Sequence, residues 1–224
     1  MFQGFTDSTF EFFMAIKFNN NRQFFHENHG WYEQALRTPL RELAADLAPV
    51  IEELDPDLET RPEKVVSRIN RDIRFSNDKS PYRDYMWLAF RQPGLDRKIT
   101  LGAYFDLSCQ GASYGFGIYS EHRPYMNGLR QRQITDEENF LSLWLPVKDR
   151  FQLCGSCFKR MAVPDGLHEE TKKWYTHKGF WVEKDIPDFD LLMSPALVDE
   201  IRAGFEALTP LYRYLKDIPE IDSL

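Results

Sequence analysis

Three runs of alternating apolar and polar residues follow one another between residues 85 and 119, and they constrain the fold more than any other feature. In the clearest run, every second position is apolar: Ile99, Leu101, Ala103, Phe105 and Leu107. A period of two is typical of a β-strand with one buried face. Because short turn segments at 92–94 and 110–112 separate the runs, the pattern predicts consecutive antiparallel strands.

Helical spacing of apolar residues marks both ends of the chain. Thr6-Asp7 and Ser194-Pro195 are typical helix starts, and each precedes a stripe of apolar residues. A further helical region spans 31–54. Pro210 predicts that the last helix stops and restarts. Helices are therefore expected on either side of the predicted strands.

These patterns predict an α+β fold. We expect a mainly antiparallel sheet, with a meander over about residues 63–120 and later short strands, and helices packed on one face of it. The length of 224 residues and the hydrophobic content of 42% suit one domain, residues 1–224.

The net charge of −7 argues against generic nucleic-acid binding, for which a basic surface supplies most of the affinity. No run approaches the roughly 20 apolar residues of a membrane helix, and the N-terminus lacks the features of a signal peptide. Three cysteines, an odd number, do not form a disulfide framework. The default expectation is a cytoplasmic protein without a cofactor or a metal. The sequence identifies no protein partner.

The densest polar constellation of the chain lies between residues 65 and 82. Read as a strand, 65–75 presents a mostly apolar face and an opposite face with an unbroken polar row. Arginine offers a planar fork of donors that matches the oxygens of phosphate and carboxylate groups. We predict an anion site in which arginines bind, Asn70 and Asp72 orient them, and a following loop closes. Its candidate residues are Arg68, Asn70, Arg71, Asp72, Arg74, Lys79 and Tyr82.

The same residues carry a resemblance to a known family. The ungapped segment 68–82, with Arg71-Asp72, Arg74-Phe75-Ser76 and Asp78 to Tyr82, resembles the signature of the DUF2461 family, found in bacteria with fungal and plant members. Further likenesses lie at Asn19-Asn20, Phe24-Phe25, 114–119, 177–180 and 210–212. The resemblance covers nearly the whole chain. It implies a single domain with a shared polar centre and implies no activity.

Two other functions are consistent with the arginine-rich segment. It can be a non-enzymatic module that docks a protein or nucleic-acid segment, or an architectural network of ion pairs that locks the loop to the sheet. A pocket requires Arg68 and Arg74 to converge. A docking surface requires Lys79 and Arg83 to face outward, and an architectural network requires every guanidinium to have an internal partner.

Weaker signals lie elsewhere in the chain. Cys154-Gly155-Ser156-Cys157 stands between strand-like flanks, so buried inert thiols are expected rather than a redox or zinc site. His177-Lys178, with Trp174 and Trp181 nearby, can line a pocket, or its members can belong to the surface and the core. Asp106 and Glu121 are expected to approach the arginines if the sheet register allows it.

Overall fold

The computed structural model describes residues 1–74, 77–96 and 99–222. Five antiparallel strands form one sheet in the order β1-β2-β3-β5-β4. The strands are β1 (Tyr85–Phe90), β2 (Gly102–Ser108), β3 (Gly111–Gly117), β4 (Gln152–Cys154) and β5 (Trp181–Ile186). The first three form the predicted meander, which confirms the α+β expectation.

Helices lie before, between and after the strands. They are α1 (Asp7–Phe18), α2 (Arg22–Glu27), α3 (His29–Tyr32), a π-helical turn (Glu33–Arg37), α4 (Thr38–Leu54), α5 (Pro62–Val65), α6 (Arg123–Thr135), α7 (Glu137–Trp144), α8 (Glu169–Tyr175), α9 (Phe189–Leu192) and α10 (Ala196–Lys216). Within the described ranges, no helix combines the length and the hydropathy needed to cross a membrane.

The core lies between one face of the sheet and the helices. The alternating residues of β2 place Ala103, Phe105 and Leu107 in it, as their spacing predicts. Aromatic rings join the layers: Phe5 stacks on Phe105 at 6.3 Å between centroids, and Tyr114 meets Phe205 of α10 edge-on at 5.6 Å. Such pairs add to the free energy gained from burial alone.

A close backbone approach joins β3 to β5. Gly115 is paired with Glu183, and a methyl group on Gly115 would lie 1.8 Å from the carbonyl oxygen of Val182. Only glycine fits there.

The end of α4 is tied to α10 by a buried carboxylate. Asp55 is 3% exposed. Its Oδ1 accepts a hydrogen bond from Nζ of Lys216 at 2.6 Å, and its Oδ2 accepts one from the hydroxyl of Tyr212 at 3.0 Å. Burial alone would raise the pKa of Asp55, but these donors outweigh it and hold the pKa below its ordinary value.

The prediction of a regular strand over 65–75 is wrong. Val65 ends α5, which Pro62 starts. Over the described residues 66–74 the chain makes two isolated pairs, Val66 with Leu88 and Asn70 with Tyr82, and then turns at 73–74. Proline at the first helical positions favours the helical turn of α5. Phe75 and Ser76, which belong to the predicted strand and loop, lie outside the described residues.

The predicted interruption of the last helix is also wrong. α10 continues through Pro210, which is exposed to solvent. Proline removes one backbone donor, and on the exposed side of a helix the freed carbonyl is hydrated by water. The hydroxyl of Thr209 donates to the carbonyl of Phe205 at 2.8 Å in the same turn.

Candidate functional site

The arginine-rich segment forms an irregular edge beside β1. The amides of Ser67 and Arg71 donate to the carbonyls of Trp87 and Pro81, at 2.8 and 2.9 Å. In an antiparallel edge the intervening residues direct their backbone groups away from the sheet. The guanidinium of Arg83 donates to two of those outward carbonyls, those of Arg68 and Asn70, and lies 4.9 Å from the ring centroid of Trp87.

Arg71 is the most enclosed arginine of this segment. Its side chain is 15% exposed, and Nη2 lies 3.1 Å from Oδ2 of Asp78 and 3.4 Å from the carbonyl of Tyr82. Its Nε is buried, and no acceptor among the described residues reaches it. A buried donor without a partner is rare in proteins and calls for an explanation.

Asp72 and Arg74 form a two-pronged pair in solvent. Arg74 donates from Nε to Oδ1 at 2.9 Å and from Nη2 to Oδ2 at 2.7 Å. These hydrogen bonds lower the pKa of Asp72 to about 2. The predicted contact of Asp72 with a guanidinium is therefore present, although both side chains are exposed.

The remaining predicted residues have separate environments. Nζ of Lys79 donates to the carbonyl of Ile73 at 2.8 Å. Tyr82 is buried, stacks on Phe25 at 4.2 Å, and exchanges two backbone hydrogen bonds with the side chain of Asn20, each 3.0 Å long. Tyr82 thus anchors the loop to the α1–α2 connection. Arg68 is exposed and, in the described part of the chain, has no hydrogen-bonding or ionic side-chain partner.

Among the residues that the structure describes, Arg71 is joined to Asp78 and Arg74 to Asp72, and these contacts do not bring Arg68 and Arg74 together. None of the seven predicted residues lines the cavities at α7–β4–α8 or beside Asp84. Asp106 and Glu121 do not contact these arginines: the carboxylate of Glu121 accepts a hydrogen bond from Ser156 at 2.8 Å, and Asp106 lies near Glu183.

The larger cavity, of about 480 Å³, lies between α7, β4 and α8. Its lining includes aromatic, polar and cationic side chains: Trp144, Phe151, Leu153, Cys157, Lys173 and His177. Of the candidate pocket lining at 174–181, His177 lines this cavity, whereas Lys178, Trp174 and Trp181 do not. All three cysteines are free; Cys109 and Cys154 are half-buried, and the thiol of Cys157 is exposed rather than buried as predicted.

Sequence reasoning missed an acidic cluster on the face of the sheet that points away from the core. Gly115 is the residue paired with both Tyr104 and Glu183, and the side chain of Glu183 reaches across it. The carboxylate of Glu183 accepts a hydrogen bond from the hydroxyl of Tyr104 at 2.9 Å and another from the thiol of Cys154 at 3.2 Å. Alternation in 181–185 places Glu183 on the polar face, but only the strand register shows that it reaches Tyr104.

Asp106, on the same face, is the titratable neighbour of this cluster. Burial, and then the charge of Glu183, raise the pKa of Asp106 to about 6, while Arg91 partly opposes them. Burial, and then Glu183, likewise raise the pKa of the Cys154 thiol to about 12. The cluster therefore keeps the proton on Asp106 up to a higher pH than an ordinary aspartate would, and it disfavours a thiolate at Cys154.

We expect Asp106→Asn to stabilise the protein near pH 7 and to have little effect near pH 4. The folded protein retains a proton on Asp106 that the unfolded chain releases between about pH 4 and 6, so stability falls as the pH rises through that range. Removing the charge should raise the free energy of unfolding by about 2 kcal/mol at neutral pH. Urea unfolding at both pH values measures this difference.

Asp185→Asn is the control for this prediction, because Asp185, on β5, is exposed on the same face of the sheet as Asp106. Its effect should stay within about 0.5 kcal/mol at both pH values. Equal stability of wild type and Asp106→Asn at neutral pH would show that Asp106 carries its charge there without penalty.

Comparison with known proteins identifies a family but no activity. No curated protein matches this chain. A family model described as conserved hypothetical protein (DUF2461) matches residues 8–214, which include the sheet, the arginine-rich segment and nearly all of α10. The chain therefore belongs to the DUF2461 family of conserved hypothetical proteins.

Proposed function

We propose that the arginine-rich segment binds an anionic small molecule, one that bears a phosphate or carboxylate group, at the guanidinium of Arg71. One observation carries this proposal: the buried Nε of Arg71 has no acceptor in the described part of the protein. Nε and Nη2 form one edge of a guanidinium, and an oxyanion accepts hydrogen bonds from both at once. Asp78 contacts only Nη2 on this edge.

In this proposal, the carboxylate of Asp78 occupies part of the position on Arg71 that the ligand takes when it binds. Its side chain is 54% exposed and also accepts hydrogen bonds from the amide and hydroxyl of Ser80. An incoming phosphate displaces Asp78 from Arg71 and supplies the second oxygen that Asp78 does not. The segment 68–84 has five arginine or lysine residues and three aspartates. Its local charge is therefore favourable to an anion although the whole chain is acidic.

The neighbouring residues take supporting roles. Arg68 is exposed and unpaired in the described ranges, so it is able to add a second cationic contact. Asn70, Asp72 and Arg74 shape the rim, and Lys79 and Tyr82 fix the loop. The docking alternative is less well supported, because the guanidinium of Arg83 and the ammonium of Lys79 are already bound to backbone carbonyls of the segment itself. The architectural alternative accounts for Arg74 and Arg83 but leaves the Nε of Arg71 unexplained.

The proposal predicts opposite effects of two substitutions on the binding of inorganic phosphate. Arg71→Lys should weaken binding about tenfold or more, because an ammonium group cannot reproduce the two-pronged contact. Asp78→Asn should strengthen binding about tenfold, because it removes the competing carboxylate and its repulsion. Isothermal titration calorimetry or amide chemical shifts, followed during phosphate and citrate titrations, measure both effects.

Arg202→Ala is the matched control, since Arg202 is an exposed arginine whose guanidinium pairs with a single carboxylate, Asp199, on α10. It should bind phosphate as the wild type does. If Arg71→Lys and Arg202→Ala bind equally, or if Asp78→Asn leaves affinity unchanged, Arg71 is not the binding group. A large fall in melting temperature of Arg71→Lys without phosphate binding by the wild type would support the architectural alternative.

A further inference from the structure

The imidazole of His177 is fixed at the wall of the 480 Å³ cavity. His177 is 6% exposed, and its Nδ1 lies 2.8 Å from the carbonyl oxygen of Lys173 in the last turn of α8. A carbonyl only accepts, so Nδ1 carries the proton and the neutral ring keeps a lone pair on Nε2. Among the described residues, Nε2 has no hydrogen-bond partner.

The buried side chain of Arg130 hydrogen-bonds to the backbone around His177. Arg130 is 2% exposed, and its Nε donates to the carbonyl of Tyr175 at 2.8 Å while its Nη2 donates to that of His177. Its Nη1 donates to the side chain of Asn127 at 3.0 Å. Arg130 thereby fixes the turn after α8 at two carbonyls, and Asn127 fixes the guanidinium. Burial also lowers the pKa of His177, which keeps its ring neutral.

Cys157 is the residue paired with His177 across two neighbouring backbone segments. Cys157 and His177 form an antiparallel bridge. The flanking hydrogen bonds, from the amide of Phe158 to Thr176 and from that of Lys178 to Ser156, are both 2.9 Å. They mark the bridge as the narrow, non-hydrogen-bonded type of pair, in which opposed side chains lie closest. Both residues line the same cavity.

Gly155 makes this arrangement sterically feasible. Its φ of +132° lies in a region that other residues rarely adopt. A methyl group there would lie 2.4 Å from the carbonyl of Gly179 and 3.1 Å from Cδ2 of His177. Gly155 therefore lies close to the Cδ2 edge of the ring, beside Nε2.

We propose that Cys157 and His177 are a nucleophile and its general base, acting in this cavity on a small acyl compound such as an ester or thioester. The thiol proton passes to Nε2, and a bond forms between Sγ and the acyl carbon. The bond from that carbon to the alcohol or thiol leaving group breaks, and the leaving group takes the proton from Nε2. The products are the S-acyl cysteine and the free alcohol or thiol.

The cavity matches that substrate class in size and lining. A volume of about 480 Å³ falls within the range usual for small-molecule sites. Trp144, Phe151 and Leu153 line the cavity beside polar and charged side chains, and its two lysines are already paired, Lys148 with Asp149 at 2.8 Å and Lys173 with Glu170 at 2.6 Å. An uncharged acyl group is therefore favoured over a charged one.

The probe for this proposal is 4-nitrophenyl acetate, with the acetyl adducts located by peptide mass spectrometry. In the intact wild-type protein near pH 7, Cys157 should be acetylated at least about tenfold faster than glutathione, a free thiol without a base beside it. His177→Gln should lower the rate about tenfold at that pH. The two proteins should converge near pH 10, where a thiol ionises without help.

Cys154→Ser is the control and should react as the wild type does, because the Cys154 thiol is held by Glu183 on the sheet. Acetylation of Cys157 no faster than that of glutathione would overturn the proposal, and this measurement needs no variant. An unchanged rate in a folded His177→Gln protein near pH 7 would overturn it too. Circular dichroism establishes whether that variant is folded.

Discussion

Gly115→Ala is expected to lower the free energy of unfolding by about 3 kcal/mol or more, a severe result for the addition of one methyl group. The new carbon would lie 1.8 Å from the Val182 carbonyl oxygen, 2.9 Å from its carbon and 3.0 Å from Cα of Glu183. All three atoms belong to the backbone of β5, so no side chain can rotate away. The clash can be relieved only if β3 and β5 move apart.

Urea unfolding measures the effect, and amide hydrogen exchange locates it. Exchange should accelerate in β3 and β5 before it does in β1. Gly30→Ala is the control: nothing lies within 4 Å of the added carbon, and Gly30 is in α3. Alanine has the higher helix propensity, so this variant should be unchanged or more stable by up to about 1 kcal/mol. Wild-type stability of Gly115→Ala would contradict the close approach of β3 to β5.

Lys216→Met is expected to lower the free energy of unfolding by about 3 kcal/mol at neutral pH, because it leaves the buried carboxylate of Asp55 without its cation. For a chain of this length, such a loss lowers the melting temperature by about 8 °C. Methionine retains the apolar stem of lysine, so the change isolates the charge. The hydroxyl of Tyr212 and the amide of Asp57 still donate to Asp55, which limits the loss.

The same variant should show a distinct pH dependence. The lowered pKa of Asp55 in the wild type gives stability that is present above the ordinary pKa near 4 and is lost as the pH falls through the folded value. Without Lys216, burial dominates and raises that pKa. The difference in stability between variant and wild type should therefore shrink below about pH 4.

Two further variants check the assignment to Asp55. Arg213→Ala changes an exposed cation of the same helix that donates to the carbonyl of Glu53, and its effect should be about 0.5 kcal/mol or less. Adding Asp55→Asn to Lys216→Met should recover part of the lost stability, because the buried charge is gone. If the double variant is no more stable than Lys216→Met, the unpaired carboxylate is not the cause.

The parts of the fold that periodicity predicts are those whose pattern is local. The alternation over 99–107 identifies β2, although the strand begins at Gly102 and β3 begins as early as Gly111. The same alternation over 65–75 does not produce a regular strand, because pairing there is interrupted after Val66 and resumes only around Asn70. Alternation reports which face is buried, whereas continuous pairing depends on the partner.

The candidate sites divide in the same way. The contact between Asp72 and Arg74 spans two residues and follows from the sequence. The bonds between Asn20 and Tyr82 join positions 62 residues apart, and the pairing of Cys157 with His177 depends on the register of two irregular segments. Neither the spacing of residues along the chain nor the composition predicts that register. The arginines were therefore apparent in the sequence, and the thiol beside the imidazole was not.

The position of the Arg83 guanidinium affects whether copies of the protein associate through the borders of their sheets at high concentration. A strand at the border of a sheet offers a ladder of free carbonyls onto which another chain can add. Here a cation already occupies the two carbonyls that face outward from Arg68 and Asn70. The opposite border is β4, which has only three residues. Neither border therefore offers a second copy a long row of free backbone groups, and edge-to-edge pairing of sheets into fibres is disfavoured.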